Sequence, residues 1–126
     1  MGRVVHFEFP VDDPERAMEF FKQAFGWNVE KWGEADMEYW LVGTGDRSQM
    51  GIDGGFMRRM ENGPGPVNII HMPDLDAAIA AVEKAGGKIV RPKMDIPTIG
   101  QIAYFADTEG NVWGIIQPAE GMAQGG

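Results

Sequence analysis

One pattern occurs twice in this chain: a short apolar strand, an amphipathic helix, then three strand-like stretches divided by glycine and proline. In the first copy Ala17, Phe20, Phe21, Ala24 and Phe25 recur at helical spacing, with Glu15, Arg16, Glu19 and Lys22 between them. Asp13, Pro14 and Glu15 supply a cap, a first-turn proline and an acid at the positive helix end, and Gly26 supplies the stop. In the second copy Leu75, Ala78, Ile79 and Val82 form the stripe, Asp74 is the cap and Gly86-Gly87 the stop. The preceding strands are Val4–Val11 and Val67–Met72. The following strands are Asn28–Trp32, Glu38–Val42 and about Gln49–Phe56, then Lys88–Arg91, Gln101–Phe105 and Asn111–Gln117. A helix can cover only one face of so small a sheet, which leaves the other face hollow. The predicted class is therefore α+β: two βαβββ repeats forming a cupped mixed sheet with helices outside. Repeat one covers residues 3–60, a glycine- and proline-bearing linker residues 61–66, repeat two residues 67–118, and a glycine-rich, weakly patterned tail residues 119–126.

Composition narrows the chemistry. A chain of 126 residues suits a single domain with its own core, and the absence of cysteine excludes disulfides, thiolate metal sites and cysteine nucleophiles. A formal net charge of −8 repels phosphate backbones and anionic lipid, so neither nucleic acid nor membrane is an expected partner. Acidic residues at Glu8, Asp12, Asp13 and Glu15 interrupt any apolar leader, and the expected compartment is the cytoplasm. Gly43-Thr44-Gly45-Asp46 lacks the strand-to-helix setting of a phosphate loop, and Ser48, the only serine, has no histidine at a readable spacing.

Strand alternation nominates a site. Val5, Phe7, Phe9 and Val11 form the apolar set that should meet the first helix at Phe21 and Phe25, so His6 and Glu8 point into the hollow. Buried there, they need a ligand, ordered water or each other as partners. Tyr39, Trp32, Trp40, Tyr104 and Trp113 divide between the helix face and the hollow, where they suit a partly apolar small molecule. Met50, Met57 and Met60 read as gap-filling. Arg58 and Arg59 read as a solvated turn, or as an attractor for a ligand carboxylate or phosphate. Gly54-Gly55 marks a bulge or a close strand contact.

The run from His6 through Val11-Asp12-Asp13-Pro14-Glu15-Arg16-Ala17, with Phe20-Phe21 and Phe25-Gly26-Trp27 after it, resembles the opening of glyoxalase, bleomycin-resistance and extradiol-dioxygenase proteins, the vicinal oxygen chelate superfamily. Asp107-Thr108-Glu109-Gly110-Asn111-Val112-Trp113-Gly114 is similar to that superfamily's closing turn. Asp95 to Gly100 ahead of Ala103-Tyr104-Phe105-Ala106-Asp107 resembles the single-module branch related to lactoylglutathione lyase. The resemblance implies a two-fold homodimer and, in the enzymes, a divalent metal held by histidines and carboxylates, with an open position that polarises a substrate oxygen. His6 stands at the first ligand position. Val67 and Gly114 stand where a second histidine and a closing carboxylate would be, and neither side chain can coordinate. The expectation is thus a small-molecule ligand at His6, Glu8, Val67, His71, Tyr104 and Gly114, with no metal cofactor. If a divalent metal is bound after all, its ligands would be His6, Asp53 and Glu8, or His71 in place of Glu8, and the protein would be a lyase, isomerase or dioxygenase of the glyoxalase group.

Overall fold

The computed structural model describes residues 2–32 and 38–119. The glycine-bearing division expected between Trp32 and Glu38 and the tail from residue 120 onward lie outside the described residues. The element order is β1 (Val4–Val11), α1 (Pro14–Phe25), β2 (Asn28–Trp32), β3 (Tyr39–Gly43), β4 (Gly54–Arg58), β5 (Val67–His71), α2 (Leu75–Lys84), β6 (Lys88–Ile96), β7 (Gly100–Ala106) and β8 (Val112–Pro118). This is the doubled βαβββ pattern, and the fold is α+β. The chain divides into two compact units, His6–Pro66 and residues 67–119 together with residues 2–5. Among the described residues no helix is long and apolar enough to cross a membrane.

Each unit repeats one topology. Strand order is β2-β3-β4-β1 in the first and β6-β7-β8-β5 in the second. In each, the first strand pairs parallel with the fourth and the other pairings are antiparallel, so each sheet is mixed. Both helices begin as the sequence specifies. The Asp13 carboxylate accepts from the Arg16 N–H at 3.1 Å and the Asp74 carboxylate from the Ala77 N–H at 3.0 Å. Gly26 closes α1 at φ 72°, a left-handed conformation that glycine adopts without penalty. Before β8, Asp107 accepts from the N–H groups of Glu109 and Asn111 and from the Trp113 indole, which fixes the expected closing turn.

The cores follow from strand parity. In the first unit Val11, Trp40, Val42 and Phe56 are buried, with Phe7, Phe9, Ala17 and Met18 packed against them. In the second, Leu75, Ala78, Ala103 and Ile115 are buried, with Ile79 and Val82 alongside.

Five expectations need correction. Phe25 does not meet Phe7 and Phe9. It is 64% exposed and lies on Phe21 and Trp27, while the second helical contact with the core is made by Met18. At 100° per residue Ala17, Met18, Phe21 and Phe25 share one face and Phe20 falls at its margin, but Phe25 is the last residue of α1 and packs beside the helix end instead of on the core. The strand expected from Gln49 begins only at Gly54, because Asp46 and Asp53 capture the backbone N–H groups of Ser48 and Thr44 and fold that stretch into turns. Met50, in that stretch, and Met60, beyond β4, are exposed rather than gap-filling. β6 continues through Pro92 to Ile96, which it can do because it ends the strand order of its unit, where a missing N–H costs no ladder bond. Register shifts flank Arg91 on both sides. Arg58 lies on β4 rather than in a turn and pairs with Glu38 at 2.9 Å, while Arg59 pairs with Asp12 at 3.0 Å. Both guanidinium groups already have carboxylate partners.

Candidate functional site

The site is built on β1, β3 and β4 of the first unit. On β1, Phe9 meets Phe21 of α1 at 5.3 Å between ring centroids, so Phe7 and Phe9 take the helix side and His6 and Glu8 the opposite face. On β3 the buried residues are Trp40 and Val42, which places Tyr39 on the same face as His6 and Glu8. β4 lies between these strands, and its register sets Gly55 opposite Glu8. A Cβ at Gly55 would collide with the Tyr39 ring and hydroxyl. Because there is none, the ring lies across β4 and its hydroxyl reaches β1. Gly54 permits a second close approach on the other face, where a Cβ would come within 2.5 Å of the Phe7 carbonyl oxygen and 2.7 Å of its ring. The double glycine is therefore a close strand contact on both faces, not a bulge.

The result is a hydrogen-bonded chain of three side chains. The Tyr39 hydroxyl donates to Glu8 Oε2 at 2.9 Å, and His6 Nε2 lies 3.0 Å from the same hydroxyl. Glu8, at 7% exposure, is the buried polar residue among the core positions. Tyr39 supplies the partner that a ligand, water or the His6–Glu8 pair had been expected to supply. Burial lowers the His6 imidazole from its ordinary 6.5, and the negative charge of Asp53 opposes part of that effect. Asp53 itself accepts from the Thr44 N–H at 2.9 Å, which ties it into the turn ahead of β4. Sequence reading placed Tyr39 among the strand aromatics but did not assign it as the partner of His6 and Glu8. Its parity beside Trp40 and Val42 was visible, but its reach over Gly55 depends on register.

The remaining candidates come together in the second unit. Tyr104 on β7 faces Gly114 on β8, and Gly114 faces Ile69 on β5. A Cβ at Gly114 would lie 3.0 Å from Ile69 Cγ1 and 3.3 Å from Tyr104 Cε2, so protein side chains close over that glycine. Val67 and Ile69 are buried, and His71, on their face, is partly buried with its backbone N–H bound to the Arg3 carbonyl at 2.9 Å. Counted back from the helix caps Asp13 and Asp74, Ile69 corresponds to Glu8 and Val67 to His6. The two repeats thus carry apolar and polar versions of one sheet face.

A duplicated βαβββ unit with a polar cluster on the face away from its helix defines a class of paired-module proteins. The chain belongs to the Glyoxalase/Bleomycin resistance protein/Dioxygenase superfamily, whose family model matches residues 3–115. It is 31% identical over 121 residues to a glyoxylase-like domain-containing protein of Didymella fabae, covering 90% of this chain and 92% of that one. It is 28% identical to the glyoxylase-named protein CFP32 of Mycobacterium bovis, covering 94% of this chain and 45% of the relative, so it spans about half of that relative's length. A variant of Streptomyces coelicolor methylmalonyl-CoA epimerase, in complex with 2-nitronate-propionyl-CoA, shares the fold at TM-score 0.73 and 16% identity, over 96% of this chain and 97% of that one.

The divalent metal of the superfamily's enzymes does not fit the donors present. Among the described residues no three or more histidine, aspartate or glutamate side chains are grouped to hold an ion. His6 and Glu8 are turned to Tyr39 and Asp53 to Thr44, while Val67 and Gly114 have no donor.

Proposed function

We propose that this protein binds a small, partly apolar molecule whose polar end meets His6, Tyr39 and Glu8, and that it does so without a catalytic divalent metal. The hydrogen-bonded chain of those three side chains carries this reading. Burying polar groups on a sheet face costs on the order of a few kcal/mol wherever partnering is incomplete. The same fold unit, repeated in this chain, places valine and isoleucine at the corresponding positions, so the scaffold does not require the polar cluster in order to close. Residues that the fold does not demand, held in a fixed array on partly open surface, are what a recognition site needs. The relatives are named as glyoxylases, and the metal-dependent chemistry that the sequence resemblance implies for the glyoxalase group requires a third donor beside His6 and Glu8.

A thermal-shift screen of small aromatic and aliphatic compounds in the presence of chelator tests the proposal. At least one compound should raise the Tm of the wild-type chain, and His6→Phe should abolish that rise while its own ligand-free Tm stays close to wild type. A rise that occurs only on adding divalent cations, or one that survives in His6→Phe, would contradict it.

A further inference from the structure

We infer that His6 is held as the Nε2–H tautomer and offers its Nδ1 lone pair to the ligand, so that the molecule taken is an uncharged hydroxyl donor of the phenol or alcohol class rather than a carboxylate. This rests on the ligand-binding reading above and names the ligand class for it. The argument begins with a proton count. A tyrosine hydroxyl has one proton, and that of Tyr39 is directed to Glu8 Oε2 at 2.9 Å. Toward His6 the same oxygen can only accept, so the 3.0 Å approach of Nε2 is a hydrogen bond only if Nε2 bears the proton. A neutral imidazole has one N–H, which leaves Nδ1 bare. No group among the described residues donates to Nδ1, and His6 is only partly buried.

The chain has a direction as well. His6 donates to Tyr39 and Tyr39 to Glu8, and successive donation toward a carboxyl group enriches electron density at the far end of the imidazole. The groups facing His6 are Glu8 from its own strand, Tyr39 from β3 and Asp53 from the turn ahead of β4. None of these is a cation. Lys31 on β2 and Arg58 on β4 lie over the Trp40 ring, on the other face of the sheet, and both are engaged with Glu38. A carboxylate ligand would therefore face a bare lone pair between acidic residues, whereas a hydroxyl donor completes the chain.

The experiment uses the full chain labelled with 15N at histidine and two probes, p-cresol and 4-methylbenzoate. The chain has two histidines, and the His6 signals are those lost in His6→Phe. In the ligand-free protein Nε2 should resonate as a protonated nitrogen and Nδ1 as a bare one, and Tyr39→Phe should convert that single tautomer into a mixture. Adding p-cresol should shift Nδ1, and 4-methylbenzoate should bind at least about tenfold more weakly. A proton found on Nδ1, His6 nitrogens that do not respond to p-cresol, or a carboxylate that binds as well as the phenol would each overturn the inference. The first of these would leave the ligand-binding reading standing, because the tautomer is read with no ligand present. Failure of the ligand-binding reading itself would show as an absence of any stabilising compound in the screen.

Discussion

At the scale of single residues, His6 links the site to stability. The unfolded chain binds a proton at this imidazole near its ordinary 6.5, and the folded chain resists protonation until a lower pH because the ring is buried. The unfolded state therefore holds more protons just below that value, so stability should be full above 6.5 and fall as pH drops through and beneath it. The carboxylates of Asp46 and Asp107 are held below their ordinary 3.8 by hydrogen bonds, chiefly from the backbone N–H groups of Ser48 and Asn111, so their contributions are lost only at much lower pH. Urea unfolding at several pH values on either side of 6.5 should show this slope in the wild type and a flatter profile in His6→Gln. An equal slope in both chains would remove His6 as its source. How His6 and Glu8 point was legible from alternation alone, since Phe7, Phe9 and Val11 claimed the helix side. What partners them was not, because Tyr39 reaches them from two strands away.

At the scale of elements, that reach depends on β4 carrying no side chain at Gly55. Gly55→Ala would drive a methyl group into the Tyr39 ring and push the hydroxyl off Glu8. It should cost about 1–3 kcal/mol by overpacking, against almost nothing for Gly65→Ala, where no atom lies within 4 Å of the added carbon. Denaturant midpoints of the two variants provide the comparison, and equal stability would show that the strands part without strain. Gly54-Gly55 was readable as a close contact, yet neither the face nor the occupant could be named without register. Turn chemistry also hid the start of β4, since Asp46 and Asp53 accept from the N–H groups of Ser48 and Thr44 and so fold the approach to the strand into turns. Helical periodicity placed Phe21 correctly and Phe25 wrongly because the period fixes the face a residue takes and not whether the last residue of the helix still lies over the sheet.

At the scale of the whole chain, the doubled βαβββ order was legible because each copy carries its own cap, stripe and stop, and because Asp13 and Asp74 do in the structure what their positions imply. The family followed from motifs at both ends of the chain. The function was less legible, because the repeats have diverged at the positions that matter: His6 and Glu8 in one correspond to Val67 and Ile69 in the other. The central claim is that the His6 face is a hydrogen-bonded recognition site and not a metal centre. Elemental analysis of the purified chain, after saturation with zinc, nickel, manganese or iron and exhaustive dialysis, tests it most directly. Metal content well below one equivalent per chain, unchanged in His6→Ala, is the result this account predicts. Near one equivalent of a divalent metal per chain, lost in His6→Ala, would contradict it.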